Sequence, residues 1–221
     1  MPLFYQYNSS KKRYNILSVL HINKTQKGGP MKKLIASLLL LVSFGTSAGH
    51  LTCAEFDKMD NNQKQILKQS YEFGKKEGYE HTLAAIAWKE SRAGEALHRK
   101  DIRGGSHGVF HNLLDNVLFR EYGKRVSGKD AASPRLIRAT EKRLKSDFKF
   151  AAKHAVLELQ YWNEKTYNLY YVWAAYNGGY SAFSTADNKR ARVKAFDYAD
   201  DILRRVYLVR TCDNSPVRGG R

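Results

Sequence analysis

The chain has 221 residues, and its hydrophobic content of 43% with 12% aromatic residues fits one globular domain and excludes a disordered chain. Its formal net charge of +17 predicts a surface drawn to polyanions, such as nucleic acids, anionic membranes or acidic cell-wall polymers. Composition and charge do not choose among these partners.

The first predicted element is a secretory signal peptide that begins at Met31. Two lysines follow this methionine, then an eleven-residue apolar run at 34–44, then small residues that end at Ala48. A membrane-spanning helix needs about 20 apolar residues, so the run is too short for an anchor. We therefore expect residues 31–48 to be removed, no stable membrane span in the mature chain, and export to the periplasm or the extracellular space.

The thirty residues before this signal are polar, basic and free of acidic side chains. They would bury the signal inside the chain, so we interpret residues 1–30 as a mis-assigned upstream extension, with Met31 as the true start. Lys27-Gly28-Gly29 can be encoded by a purine-rich ribosome-binding sequence, which agrees with this interpretation. Residues 49–221 would then be a single domain with 31 basic and 21 acidic residues, a net charge of +10.

Two cysteines, Cys53 and Cys212, lie near the two ends of this predicted mature chain. Disulfides persist in exported proteins, so we expect these residues to be paired. Free thiols are one alternative, and a lipid-modified Cys53 is another, although no run of small residues precedes it.

The mature chain reads as successive helices with almost no alternating polarity, which predicts a mostly α-helical domain. Thr52 and Glu55 have the spacing of a capping box, and the helix that they would open ends near 74–78. A second helix begins near Thr82. Its apolar residues surround most of the circumference, so it is the predicted buried helix, and Glu90 stands at its end.

Four further segments follow in chain order. The predicted helices are an amphipathic segment at 113–122, a basic region from Pro134 to about 163 with a break near Ser146, an aromatic helix stopped by Gly178-Gly179, and a last helix at about 189–208.

Three local features carry polar groups that could perform chemistry. Glu90 ends the buried helix, where desolvation would raise its pKa and make it a general acid, or where it could simply pair with Lys89 or Arg92. A glycine-rich loop at 104–112 could approach a ligand closely or be an ordinary turn. The pair 176–177 could bind a ligand or be a core tyrosine followed by a helix cap.

The order and spacing of these features closely resemble the soluble lytic transglycosylase family, over roughly 82–208. Glu90-Ser91 matches the catalytic Glu-Ser of that family, and Ala175-Tyr176-Asn177-Gly178-Gly179 matches its Ala-Tyr-Asn motif. Gly108-Val109-Phe110-His111 stands where the family has Gly-Leu-Met-Gln, so a titratable histidine replaces glutamine. The variant is similar to small members associated with phages, conjugation or secretion.

The resemblance implies a lysozyme-like fold of the goose type with a substrate groove, and no cofactor or metal. It implies cleavage of the β-1,4 bond between N-acetylmuramic acid and N-acetylglucosamine in peptidoglycan, giving 1,6-anhydromuramoyl products. Glu90 would be the catalytic residue, acting first as acid and then as base. The implied substrate-binding residues are Ser91, Ser106, Gly108, Val109, Phe110, His111, Tyr176, Asn177 and Tyr198. The expected partners are glycan strands and an apparatus of phage, conjugation or secretion type, and a monomer is expected.

Other functions remain open at this point. A goose-type hydrolase would need a second carboxylate, for which Glu95, Asp101 and Asp115 are candidates. A non-catalytic protein of wall binding or assembly would keep the groove without turnover. Nucleic-acid binding is not expected of an exported protein, because basic runs such as 188–194 are usually solvated helix faces. A metal site at His107 and His111 is not expected either, since Gly108 separates them and no metal-binding signature is present.

Overall fold

In a computed structural model, residues 51–100, 104–183 and 189–218 are described. The chain divides into two units, Met1–Thr46 and Ser47–Arg221, and every described residue lies in the second. The predicted upstream extension and signal peptide therefore lie outside the described residues.

The described part of the chain is mostly helical, as the sequence predicts. Its α-helices are α1 (Asn61–Lys75), α2 (Glu80–Ser91), α3 (Leu114–Tyr122), α4 (Pro134–Ser146), α5 (Phe148–Thr166), α6 (Leu169–Gly178) and α7 (Lys189–Thr211). Short 3-10 turns occupy Cys53–Glu55 and Gly179–Ala182. Between α2 and α3, the two-residue strands β1 (His98–Arg99), β2 (Ser106–His107) and β3 (Asn112–Leu113) form a small antiparallel sheet in the order β1-β2-β3.

The start of α1 differs from the predicted one. Thr52 makes no side-chain capping bond, and only a 3-10 turn follows it. The capping box is instead formed by Asp60, whose carboxylate accepts a hydrogen bond from the Gln63 amide, while the Gln63 side chain accepts one from the Asp60 amide. Two residues with the spacing of a capping box cap a helix only where the backbone after them is helical. The predicted capping box at Thr52 was therefore wrong.

The predicted break in the basic region lies at Asp147. This residue ends α4 and begins α5, and its carboxylate accepts a hydrogen bond from the Phe150 amide at 3.0 Å. That bond, together with Arg143, lowers the pKa of Asp147. Ser133 caps α4 directly before Pro134, which confirms the predicted start of this helix. The end of α6 at Gly178 confirms the predicted stop at the two glycines.

The core is organised around α2, which packs against α1 and α7. Seven consecutive residues at 82–88 are buried, and they include Leu83, Ile86 and Trp88. Burying a large apolar side chain of this kind contributes roughly 1.5–3 kcal/mol. Three alanines between them are small enough for the neighbouring helices to approach, so α2 is held on all sides, as the sequence predicts.

Cys53 and Cys212 form a disulfide, with their Cα atoms 5.5 Å apart. It joins the start of the described domain to the end of α7, and Asn214 donates hydrogen bonds to the Cys53 carbonyl and the Asp57 carboxylate beside it. Within the described ranges, no helix combines the length and apolarity needed to cross a membrane.

Candidate active site

The Glu90 carboxyl group lies in the last turn of α2, and only 5% of its side chain is exposed. The chain leaves the helix there through two left-handed residues, Arg92 and Ala93. The Gln63 side chain donates a hydrogen bond to the Arg92 carbonyl at 2.9 Å, which ties this turn to α1. The backbone that directly follows Glu90 is thus held against α1.

Two groups contact the same oxygen of this carboxyl group. His111 Nδ1 lies 3.1 Å from Glu90 Oε2, and Arg99 Nη1 lies 3.7 Å from it. The other ring nitrogen of His111, Nε2, donates to the Ala96 carbonyl at 2.7 Å. His111 reaches this position from a left-handed backbone conformation, with φ of 44°, which histidine adopts more readily than most residues do.

Two tyrosines face the same region from α6 and α7. The Tyr176 hydroxyl donates to the Phe110 carbonyl at 3.0 Å, and its hydroxyl end is enclosed by protein although part of the residue is open to solvent. The Tyr198 hydroxyl is buried without a hydrogen bond of good geometry among the described residues. Burial first, and then the nearby charge of Glu90, raises the pKa of both phenols well above the ordinary value. Both therefore stay protonated, Tyr176 with its proton donated to Phe110 and Tyr198 with a proton that a neighbouring acceptor could take.

A cleft of about 920 Å³ opens beside this group of side chains. Arg99, His111, Tyr176 and Asn177 line it, and the first two of these contact Glu90. The carboxyl group is thus next to residues of the cleft lining. Ser106, almost fully buried on β2, also lines the cleft.

Part of the cleft lining is aromatic, a feature that the sequence analysis missed. Trp162 lies edge-on between Tyr161 and Tyr180, with ring centroids 4.9 and 5.0 Å away, and the two tyrosine hydroxyls hydrogen-bond to each other. Tyr180 is 65% exposed. Its position directly after Gly178-Gly179 could have drawn attention to Tyr180. Its contacts with Tyr161 and Trp162 of α5 could not be predicted from the sequence, because they depend on the fold.

Glu158 is a cleft-lining carboxylate that the sequence analysis also missed. One of its oxygens accepts from Arg120, and the other accepts from the Trp162 indole at 2.7 Å. Both oxygens are therefore engaged by cationic or aromatic donors of the cleft wall.

The residues predicted to accompany Glu90 separate into two groups. His111, Tyr176, Asn177 and Ser106 reach the cleft, and Tyr198 lies near Glu90. The remaining four are packed within the protein: Ser91, Gly108, Val109 and Phe110.

The contacts of these four residues stabilise the end of α2 and the loop that carries His111. The Ser91 hydroxyl donates to the Ala87 carbonyl and accepts from the Gly94 amide, which closes the end of α2. Phe110 is fully buried against Phe148. The loop is thus anchored by its apolar residues, and this anchoring presents His111 to Glu90.

Gly108 is required by packing against α4. Its φ is +79°, and a Cβ atom there would lie 2.2 Å from the Leu144 carbonyl oxygen. We expect Gly108→Ala to lower the free energy of unfolding by at least about 3 kcal/mol, from the combined clash and left-handed strain, as measured by urea unfolding.

Gly128 provides the matched control for this substitution. Its φ is +89°, yet nothing lies within 4 Å of the Cβ position, so Gly128→Ala should cost only about 1–2 kcal/mol of backbone strain. Equal losses in the two variants would contradict the role of the Leu144 contact.

The two described candidates for a second carboxylate, Asp115 and Glu95, contact other residues. Asp115 accepts from Arg125 and from the Val126 amide, both at 2.9 Å, and so holds the loop that follows α3. Glu95 lies 4.0 Å from Arg92 and lines a different, smaller cleft. Asp101 lies outside the described residues.

His107 and His111 turn in different directions. His107 Nε2 lies 3.0 Å from the Gly104 carbonyl, and its Nδ1 lies 3.2 Å from His98 Nδ1. Burial lowers the pKa of His107. Across 51–100, 104–183 and 189–218, no group of three or more side chains is arranged to hold a metal ion.

Comparisons with protein-family models, with curated proteins and with solved structures found no match to this chain.

Proposed function

We propose that this protein is a lytic transglycosylase that cleaves the β-1,4 bond between N-acetylmuramic acid and N-acetylglucosamine in peptidoglycan. The observation that carries the proposal is the Glu90 carboxyl group, 5% exposed at the end of the buried helix, beside a cleft large enough for several sugar rings. Two protonated tyrosines and Arg99 surround it.

The lining of the cleft suits a glycan. Tyr161 and Tyr180, which pack on the buried Trp162, offer exposed ring surface to the apolar sides of sugars, while Asn177 offers an amide to hydroxyl or acetamido groups. Two arginines of the cleft, Arg120 and Arg125, are paired with the carboxylates of Glu158 and Asp115, which offset their positive charge.

In the proposed reaction, Glu90 donates a proton to the glycosidic oxygen as the bond to the muramoyl anomeric carbon breaks. The N-acetyl group of the sugar stabilises the positive charge that develops, as in substrate-assisted glycosidases. Glu90, now a carboxylate, takes the proton of the C6 hydroxyl, whose oxygen closes the 1,6-anhydro ring. One carboxyl group performs both transfers, and no water is consumed.

The engaged state of the other carboxylates favours this reaction over hydrolysis. A hydrolase of the inverting type needs a second carboxylate that is free to activate water. Glu158 and Asp115 each have both oxygens occupied by protein donors. In this proposal Tyr198, a buried and protonated phenol near Glu90, steadies the Glu90 carboxyl group through both steps.

Mass spectrometry of the soluble products from purified peptidoglycan, incubated with the disulfide-bonded protein, tests the proposal. Muropeptides with 1,6-anhydro ends are expected. Reducing-end muropeptides would move the protein to the hydrolases, and an absence of soluble products from folded protein would favour the function of wall binding or assembly.

A further inference from the structure

The contacts of His111 fix where its protons lie. A carbonyl oxygen only accepts hydrogen bonds, so the 2.7 Å contact with Ala96 requires a proton on His111 Nε2. In a neutral imidazole the other nitrogen, Nδ1, is then an unprotonated acceptor. That nitrogen is the one that faces Glu90.

An ionised carboxylate is also only an acceptor. Two acceptors 3.1 Å apart would repel each other, and both side chains are nearly buried, with 6% of His111 and 5% of Glu90 exposed. One proton must therefore lie between Nδ1 and Oε2. Either a protonated Glu90 donates to a neutral imidazole, or an imidazolium donates to an ionised Glu90.

The surroundings allow either form of this pair. Arg99 on β1, half-exposed and 3.7 Å from Oε2, favours the ionised carboxylate. Tyr176 on α6 and Tyr198 on α7 are neutral phenols whose pKa values are raised by burial and by Glu90. Two further cations stand at this end of α2: Lys89, which is paired with Asp201 on α7, and Arg92, which lies 4.0 Å from Glu95.

We propose that His111 is a positioning residue that shares one proton with Glu90 across the Nδ1–Oε2 contact, so that the pair and not Glu90 alone holds the proton for the reaction. The inference rests on the proposed function. His111 stands where the lytic transglycosylases that the sequence resembles have glutamine. A glutamine could hold the carboxyl group by a hydrogen bond, but it could not store a proton.

The proton balance of the reaction fits this arrangement. The pair supplies the one proton that the leaving glycosidic oxygen takes, and it recovers one from the C6 hydroxyl as the anhydro ring closes. Before the next turnover, an imidazolium at His111 can return its Nδ1 proton to Glu90. No proton is gained or lost over the cycle.

The kinetic test compares the release of anhydromuropeptides at about pH 5 and about pH 8 in His111→Gln and in the wild-type protein. We expect the ratio of the rate at the higher pH to the rate at the lower pH to fall about tenfold in the variant, because the carboxyl group has lost its proton store. His98→Gln removes a histidine of the same small sheet that does not contact Glu90, and it should leave this ratio unchanged. An unchanged ratio in His111→Gln would overturn the proposal.

A second readout does not depend on activity. NMR titration of the His111 ring in the full protein should show a midpoint at lower pH in Glu90→Gln than in wild type, since the carboxylate no longer stabilises the imidazolium. Equal midpoints would overturn the shared proton even in an active enzyme. A shifted midpoint in a protein that releases no product would support the pair and count against the proposed function instead.

Discussion

Glutamine in place of Glu90 is expected to lower the rate of anhydromuropeptide release by about a thousandfold or more. The amide has the shape of the carboxyl group, but it can neither donate a proton to the glycosidic oxygen nor remove one from the C6 hydroxyl, and each such proton transfer contributes about 10²–10⁴-fold. The measurement is the initial rate of product release from purified peptidoglycan, with thermal unfolding as a check on the fold.

Glu95→Gln is the matched control, because Glu95 lies just beyond the same helix end. Its side chain is 48% exposed and lies 4.0 Å from Arg92, so its removal should change the rate by less than about twofold. A Glu90→Gln variant that kept most of its activity would show that another group is the acid. Glu158 in the cleft wall would then be the next carboxylate to replace.

The largest expected effect on stability comes from removing the disulfide. Cys53 and Cys212 are 159 positions apart, so the bond restricts nearly the whole unfolded domain. The chain-entropy model gives about 4–5 kcal/mol for a loop of this length, and Cys53→Ser with Cys212→Ser should lower the free energy of unfolding by that order. Urea unfolding of the oxidised wild-type protein and of the double variant measures the difference.

Asn214→Ala separates the covalent link from the contacts around it. The Asn214 amide donates to the Cys53 carbonyl and the Asp57 carboxylate at the same junction, and losing these exposed hydrogen bonds should cost about 1 kcal/mol. If the double cysteine variant lost no more than Asn214→Ala, the cross-link would contribute little beyond local order.

Helix positions could be predicted where the signal is local. Pro134 after Ser133 and the glycines after α6 act through the conformations that they themselves allow, so these boundaries agree with the structure. The start of α1 shows the limit of such signals. Asp60 and Gln63 have the same spacing as Thr52 and Glu55, and only the turn that follows decides which pair caps a helix.

The candidate site shows the same division. Glu90 at the end of a buried helix could be predicted, because the apolar circumference of α2 is a property of consecutive residues. Arg99 and Trp162 could not, since they reach the cleft from β1 and α5, and no short-range pattern brings those elements together. The contact of His111 with the Ala96 carbonyl likewise depends on the loop fold, and it turns a residue predicted to touch sugar toward Glu90.

The disulfide also determines how the domain responds to tension. Because Cys53 and Cys212 are covalently joined, a force that pulls the chain before Leu51 and after Arg218 runs through the sulfur–sulfur bond and bypasses the core packing of α2. Under oxidising conditions, the segment between the two cysteines would not extend. Reduction of the disulfide would let the force act on the helices. The redox state of the two cysteines therefore decides whether stretching the chain can unfold the domain that carries Glu90.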